Sequence, residues 1–254
     1  MKKLNLKLAA CASMLVAAFS VNATNYSNVY VFGDSLSDNG NLHALAPEQT
    51  YGERFSNGPV AVEIVAGALG HALTPSFHLL GGTTGNNFAI AGAKAVDEDG
   101  NEATPDINLP TQVNSFLAIN GGVAPSDALY IMLIGGNDIR AAREIRSAAV
   151  FAATPEERQA IRKAANESLN TAVAAQQAQL LKLIAAGAQH ILVSNAPDIG
   201  AIPETDLVIA GLLANTQTAS QARKANRLDD VATKLSAKYN RKLARKVARA
   251  EHQT

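Results

Sequence analysis

The sequence has no tryptophan, a single cysteine and few aromatic residues. Aromatic side chains make up 5 % of its 254 residues, and the one cysteine is Cys11. A lone cysteine cannot form an internal disulfide, so stability has to come from a packed core rather than from cross-links. Hydrophobic residues make up 47 % and charged residues 17 % of the chain. These proportions exclude a disordered or collagen-like chain and are typical of one globular domain.

The first 23 residues read as a secretory signal peptide. The stretch MKKLNLKLAACASMLVAAFSVNA has three lysines, an apolar run too short to span a bilayer, and a plausible cleavage site at Val21-Asn22-Ala23. We therefore predict a signal peptide over 1–23, a mature domain over 24–254, and a secreted or periplasmic protein. Leu8-Ala9-Ala10-Cys11 also resembles a lipoprotein box, but only three apolar residues precede the cysteine, so membrane attachment is not expected.

Neither sign of charge is in excess. The chain has 22 basic and 22 acidic residues, and subtracting the three lysines of the signal from 22 leaves 19 basic residues. Because basic residues are not in excess, the composition gives no electrostatic reason to expect nucleic-acid binding. The one basic run, KYNRKLARKVARA over 238–250, belongs to a stretch with apolar residues at steps of three and four. This spacing predicts a helix with one buried face and one solvated, charged face.

Three short apolar runs are predicted to be buried strands. Each is β-branched or aromatic and too short for a helix: NVYVFG (28–33), ALYIMLIG (128–135) and HILVSN (190–195). Helix-prone stretches follow over 155–186, 207–213 and about 221–250. The alternation predicts an α/β fold, a flavodoxin-like doubly wound parallel sheet flanked by helices. Such a sheet needs a further strand after the last helix, so residues 24–254 are predicted to lack their last strand.

Each predicted strand ends in polar residues next to glycine or proline, as GDS, GGND and NAPD. The carboxyl ends of parallel strands share one edge of a sheet, where ligands bind, so these residues are expected to converge. Several common motifs are absent. Ser37 stands where Gly-x-Ser-x-Gly would need its second glycine, and there is no Walker loop, no Gly-x-Gly-x-x-Gly and no His-Glu-x-x-His. No metal site and no cofactor are predicted.

Ser35, in GDS, is either a turn residue or a nucleophile. Glycine, aspartate and serine are ordinary turn residues. A serine that attacks an acyl carbonyl needs hydrogen-bond donors aimed at the oxygen that becomes negative. The sequence offers three candidates, which are the N–H of Ser35, the backbone at Gly92 in GNNFAIAGA, and the side-chain amide of Asn137 in GGND.

These stretches resemble the GDSL lipase/esterase family, also called SGNH hydrolases. VFGDSLSDNGN is similar to the first motif of that family, GNNFAIAGA to the second and GGND to the third, and RFSNGPVAVE and SNAPDIGAIP are similar to stretches of its secreted bacterial members. The resemblance implies an SGNH hydrolase fold and hydrolysis of small-molecule or lipid esters. It implies that Ser35 is the nucleophile and that Ser35, Gly92 and Asn137 supply the oxyanion donors. Asp34 and Asp138 would support the turn and the helix start beside the site.

The last motif of the family, Asp-x-x-His, does not follow the final predicted helix. A serine hydroxyl is a weak nucleophile unless a base removes its proton. None of the five histidines is predicted to be that base, because they precede strands, end a helix or lie in stretches without a catalytic pattern: His43, His71, His78, His190 and His252.

Two hypotheses follow. The first is a secreted serine esterase or lipase whose base comes from beyond Thr254. The second is an inactive, truncated remnant that at most binds ester or glycan ligands. The sequence leaves open the acyl length, the choice among lipid, phospholipid, short ester and acetylated sugar, and the oligomeric state.

Overall fold

The computed structural model describes residues 25–49, 52–101 and 104–251. The predicted signal peptide, Cys11 and His252 lie outside these residues. The strands and helices in chain order are β1 (Val29–Gly33), α1 (Asn41–Leu45), α2 (Ala61–Ala68), α3 (Leu109–Ile119), β2 (Leu129–Leu133), α4 (Gly136–Ser147), α5 (Pro155–Ala185), β3 (His190–Val193), α6 (Pro203–Ala214), α7 (Ala219–Ala225) and α8 (Leu228–Glu251). Single 3-10 turns lie at Pro47–Gln49, His78–Leu80 and Ala148–Val150.

The three strands form one parallel sheet in the order β1-β2-β3. Their first residues are in register, with Val29 opposite Leu129 and Leu129 opposite His190. The predicted parallel sheet flanked by helices is thus confirmed. β2 and β3 each end two residues earlier than the sequence suggested. After β2 the chain turns at Gly135, which is at positive φ and caps α4, and after β3 the polar residues Ser194 and Asn195 leave the sheet.

A further extended segment, which the sequence did not predict, pairs with the free side of β1. The N–H of Val31 donates to the Asn86 carbonyl (2.9 Å), the N–H of Phe88 to the Val31 carbonyl (2.8 Å), and the N–H of Ile90 to the Gly33 carbonyl (3.2 Å). The segment is asparagine-rich at its start and forms isolated bridges rather than a regular strand. It brings Gly92 to the carboxyl edge of the sheet, beside the end of β1.

The sheet carries apolar side chains on both faces. Alternate residues point to opposite sides of a strand, so Val31 and Ile131 join α2 in one cluster while Phe32 and Met132 join the long helices in another. The larger cluster contains five of the few aromatic rings, with neighbouring centroids 4.8 to 5.7 Å apart: Tyr30, Phe32, Phe88, Phe116 and Tyr130. The scarce aromatics are therefore concentrated on one face of the sheet, where Phe116 of α3 packs against rings of β1 and β2.

Helix α5 begins at the predicted residue 155 and ends one residue before the predicted 186. The Thr154 hydroxyl accepts from the Glu157 N–H, and the Glu157 carboxylate accepts from the Thr154 N–H, which makes a capping box. At the other end, the Ala188 N–H donates to the Leu183 carbonyl (3.0 Å) around Gly187, whose φ is +116°.

Helix α8 buries the face that its apolar spacing predicts. Leu228, Leu235, Tyr239 and Leu243 are buried, and Val231 and Val247 pack against the same core. The continuous helix expected over about 221–250 is in fact two helices. The break falls at residues 226–227, where asparagine favours a turn over a helix interior.

Strand β3 is an open edge of the sheet in the part of the chain that the structure describes. It pairs only with β2, and Leu192 is 46 % exposed. An apolar groove of about 360 Å³ runs beside it between α5 and α8, lined by Leu180, Ile184, Ile191, Val193 and Val247 among others. Within the described residues, no helix combines the length and apolar character needed to cross a bilayer.

Replacing Gly187 tests the cap of α5. A Cβ on this residue would lie 2.9 Å from the Ala124 carbonyl oxygen and would require a side chain at positive φ. We expect Gly187→Ala to lower the free energy of unfolding by about 1–3 kcal/mol, measured by urea denaturation. The control Gly211→Ala, inside α6 with nothing near its Cβ, should be neutral or stabilising by up to about 1 kcal/mol. Equal effects would contradict the assigned cap.

Candidate functional site

Ser35 sits in a tight turn directly after β1. The Asp34 carbonyl accepts from the N–H groups of Ser37 and Asp38 (both 3.0 Å), and the Asp34 carboxylate accepts from the Leu36 N–H (3.1 Å). Asp34 therefore has the turn-supporting role predicted for it. Ser35 is half-buried, and its own N–H and hydroxyl form no hydrogen bond with any residue that the structure describes. Both groups are thus available to a ligand.

The end of β1 is clamped by Gln112 from α3. The Gln112 amide accepts from the Gly33 N–H and donates to the Gly33 carbonyl, each at 2.9 Å. Gly33 itself cannot be larger, because a Cβ there would lie 2.4 Å from the Leu133 carbonyl oxygen of β2. The strand that presents Ser35 is therefore held on two sides.

Asp38 joins the Ser35 turn to the segment that carries Gly92. One carboxylate oxygen accepts from the N–H groups of Gly40 (2.9 Å) and Asn41 (2.8 Å). The other accepts from those of Leu42 (3.1 Å) and Ala91 (2.8 Å). Asp38 is buried, so these four bonds are shielded from water. The single carboxylate fixes both the start of α1 and the residue before Gly92.

Asn137 holds the same segment from the other side. Its Nδ2 donates to the Ala93 carbonyl at 2.8 Å. Gly92 is exposed at φ +89°, and its N–H has no partner among the described residues. Gly92 therefore lies between Ala91, bound to Asp38, and Ala93, bound to Asn137. These contacts bring together the three predicted site residues Ser35, Gly92 and Asn137 at one edge of the sheet.

Arg140 orients the Asn137 amide. Its Nη1 donates to Asn137 Oδ1 at 3.0 Å, which leaves the amide nitrogen directed at Ala93 with its second hydrogen unused. Glu204 at the start of α6 accepts from Arg140 (2.6 Å) and from Arg143 (2.7 Å). The Asn137 side chain is thus tied through Arg140 of α4 to Glu204 of α6.

Asp34 and Asp138 place two buried carboxyl groups under the site. Burial raises the pKa of each to about 6, and for Asp34 the neighbouring Asp138 charge adds to the rise, while the Leu36 N–H opposes it. The Asp138 carboxylate accepts from the Ala95 N–H (2.9 Å). Asp138 lies in the first turn of α4, which has no side-chain cap, and its carboxylate holds the loop after Gly92 instead.

Three of the four described histidines, His71, His78 and His190, are engaged elsewhere. The fourth, His43, lies in α1. His190 begins β3 and His71 contacts the Tyr26 carbonyl (2.8 Å), so both lie at the amino edge of the sheet. His78 contacts the Ser76 hydroxyl at 2.7 Å, and burial lowers its pKa to about 4, which keeps it neutral. No histidine hydrogen-bonds to Ser35 in the ranges that the structure describes.

Sequence reasoning missed Asp38, Arg140 and Gln112. Asp38 carries a readable signal, because aspartate two residues before glycine at a helix start commonly accepts backbone N–H groups. Arg140 stands three residues after Asn137 on a helix, at the spacing of neighbouring side chains. Gln112 gives no such signal, since it contacts β1 across 79 residues of sequence.

Residues 29–251 match the family described as GDSL-like Lipase/Acylhydrolase. Lipase 1 of Photorhabdus luminescens is 32 % identical over 192 residues, which are 76 % of this chain and 25 % of that protein. A GDSL esterase/lipase of Arabidopsis thaliana is 33 % identical over 45 % of this chain and 38 % of its own length. A phosphatidylcholine-sterol acyltransferase of Aeromonas hydrophila is 30 % identical over 70 % of this chain and 47 % of its own. The match thus spans a quarter to a half of the length of these relatives.

Removing the Asp38 carboxylate tests whether it anchors the start of α1 and the segment that carries Gly92. Asp38→Ala leaves several buried N–H groups without an acceptor, and each such group costs about 1–3 kcal/mol. We expect the free energy of unfolding to fall by about 3 kcal/mol or more in urea denaturation. Asp206→Ala, at an exposed position in α6, should cost less than about 1 kcal/mol. A loss at Asp38 no larger than at Asp206 would contradict the anchor.

The buried carboxyl groups predict an unusual pH dependence of stability. A carboxyl whose pKa is about 6 when folded and 3.8 when unfolded binds its proton more tightly in the folded state. Its contribution to stability is therefore largest below about pH 4 and is lost as the pH rises to 6. Asp138→Asn keeps an acceptor for Ala95 but removes this titration, and it also removes a charge that raises the pKa of Asp34.

We expect Asp138→Asn to reduce the fall in unfolding free energy between pH 4 and pH 7 by up to about 3 kcal/mol. Denaturation at a series of pH values measures this change. Asp198→Asn, a partly solvated carboxyl that hydrogen-bonds to Thr233, is the control and should keep the wild-type profile. An unchanged profile in the Asp138 variant would show that this carboxyl is not desolvated.

Proposed function

The chain belongs to the GDSL-like lipase/acylhydrolase family, and from that premise we propose that it is a carboxyl-ester hydrolase with Ser35 as its nucleophile. The observation that carries the proposal is the placement of Gly92. Its two neighbours are bonded to Asp38, three residues after the serine, and to Asn137, the third donor. The N–H groups of Ser35 and Gly92 and the second hydrogen of the Asn137 amide have no partner among the described residues, and three such donors would suit the developing negative charge of acyl transfer.

In the proposed reaction, the Ser35 hydroxyl attacks the carbonyl carbon of an ester and gives its proton to a base. The carbonyl oxygen becomes negative and accepts from the Ser35 N–H, the Gly92 N–H and Asn137 Nδ2. Collapse of this intermediate expels the alcohol and leaves an acyl group on Ser35, which water then removes through a second intermediate of the same kind. The substrate class is an ester of a lipid or a small molecule.

The proposed base is a histidine from a segment that pairs with β3. The open edge of β3 and the apolar groove beside it can take one more strand, and the carboxyl end of that strand would lie at the same edge as Ser35. Such a segment would belong to a longer chain that continues past Thr254. Residues 1–23 would direct that chain for secretion.

The second candidate function is ligand binding without efficient turnover. It is favoured by the lack of a hydrogen bond between Ser35 and any histidine in the described part of the chain. Imidazole added to the solution separates the two candidates, because it can replace a missing base. If imidazole raises the rate of ester hydrolysis only in the protein that has Ser35, the hydrolase is supported. If the rate in imidazole is the same for the wild type and for a variant without the serine, binding without turnover is supported.

Removing the nucleophile and a donor tests the proposed hydrolysis. Assayed with p-nitrophenyl esters of short and long acyl chains, Ser35→Ala should reduce turnover to the background of imidazole and buffer. Asn137→Ala should lower kcat by about 10²–10³ with a smaller change in KM, because its donor acts on the transition state. The control Ser126→Ala, at an exposed serine outside the site, should leave both constants unchanged. Turnover by Ser35→Ala equal to that of the wild type would refute the proposal.

A further inference from the structure

A second candidate site lies on the helical side of the molecule, away from Ser35. Five basic side chains surround a hollow of about 200 Å³ whose floor is formed by Ala149, Val150, Leu228 and Val231. The basic residues come from the end of α4, the first turns of α5, the end of α7 and the start of α8: Arg146, Arg158, Arg162, Lys224 and Arg227. Arg146 is nine residues along α4 from Asn137, which at 1.5 Å per residue is about 14 Å.

The five charges are not balanced within the protein. None of them forms an ion pair in the ranges that the structure describes, and the lining of the hollow contains no acidic residue. By contrast, Arg54 is paired with Glu63, and Arg140 and Arg143 are both paired with Glu204. Like charges held close together repel each other, so their convergence from four segments of a chain with no net charge calls for a counterion.

Arg146 shows the imbalance most clearly. Its Nε is buried and has no hydrogen-bond partner. Burial lowers the pKa of this guanidinium, and the charge of Arg162 lowers it further. A buried donor of this kind is costly unless an acceptor reaches it. Arg158 and Arg162 each use one N–H on a nearby carbonyl at 3.3 Å, so most of their donors are also free.

The size and chemistry of the hollow select the ligand. Guanidinium groups match the oxygens of phosphate in pairs of hydrogen bonds. A volume of about 200 Å³ is too small for most drug-sized ligands but sufficient for a phosphate group. We propose that the hollow between α4, α5, α7 and α8 binds a phosphate group, either as a free phosphate or as the headgroup phosphate of a lipid.

The basic face of α8 differs from the five basic residues around this hollow. Lys242, Arg245, Lys246 and Arg249 line a second hollow with α5, but all four come from one helix, and none has a buried unpartnered nitrogen. This second set has the distribution of a solvated helix face. It supplies control positions with the same change of charge.

Binding is tested by titrating inorganic phosphate into the full chain at pH 7 and low salt in a calorimeter, with chloride at matched ionic strength as the reference. Sedimentation with vesicles of phosphatidylglycerol or phosphatidylcholine tests the lipid source. The double variant Arg162→Gln/Arg227→Gln removes two exposed charges at the hollow. The control double variant is Lys242→Gln/Lys246→Gln, and thermal unfolding without phosphate shows that both variants are folded.

We expect one phosphate per chain, with affinity reduced at least about tenfold in the Arg162/Arg227 variant and less than about twofold in the control. Saturable binding of inorganic phosphate identifies free phosphate as the source. If the protein binds phosphatidylglycerol vesicles but not inorganic phosphate, and the Arg162/Arg227 variant loses this binding, the source of the phosphate is a lipid headgroup. The proposal is overturned if neither probe binds or if both double variants lose affinity equally, because attraction would then be a property of the whole surface.

Discussion

The carboxylate of Asp38 is the contact on which the site depends. It accepts from four backbone N–H groups: that of Gly40, those of the first two residues of α1, and that of Ala91. Asn87 adds to this link, because its amide donates to the Ser37 carbonyl and to Asn39 Oδ1 (both 2.7 Å), but the bond from Ala91 to Asp38 is the one next to Gly92. One buried side chain thus joins two loops that are more than fifty residues apart in the sequence, at the edge where ligands reach a parallel sheet.

Asn137 and Arg140 complete this arrangement from a third segment. Asn137 bonds to the residue after Gly92, and Arg140 sets the orientation of the amide while its other nitrogen meets Glu204. The same edge also holds two carboxyl groups that burial keeps partly protonated near pH 6. The site therefore combines precise positioning with an electrostatic cost, which is common where function rather than stability determines the residues.

Much of this structure can be predicted from the sequence because local sequence patterns determine it. The runs that form β1, β2 and β3 are short and apolar, and α5 is bounded by Thr154, Pro155 and Gly187, so these elements follow from periodicity and capping. Ser35 and Asn137 follow from motifs that resemble a known family. The extended segment over 86–90 does not follow, because its asparagines pair with β1 only through contacts set by the whole fold. The hydrogen bonds between Gln112 and Gly33 cannot be predicted from the sequence for the same reason. Nor can the convergence of five basic residues from four segments around one hollow.

The most direct test of the site is a crystal structure after reaction with a phosphonate ester, whose tetrahedral phosphorus imitates the intermediate of ester hydrolysis. We expect a covalent bond between Ser35 Oγ and phosphorus. We also expect a phosphoryl oxygen about 2.7–3.1 Å from the nitrogens of the Ser35 N–H, the Gly92 N–H and the Asn137 amide. Attachment of the phosphorus to another residue, or a phosphoryl oxygen directed away from Gly92 and Asn137, would contradict the assignment of this edge as an acyl-transfer site.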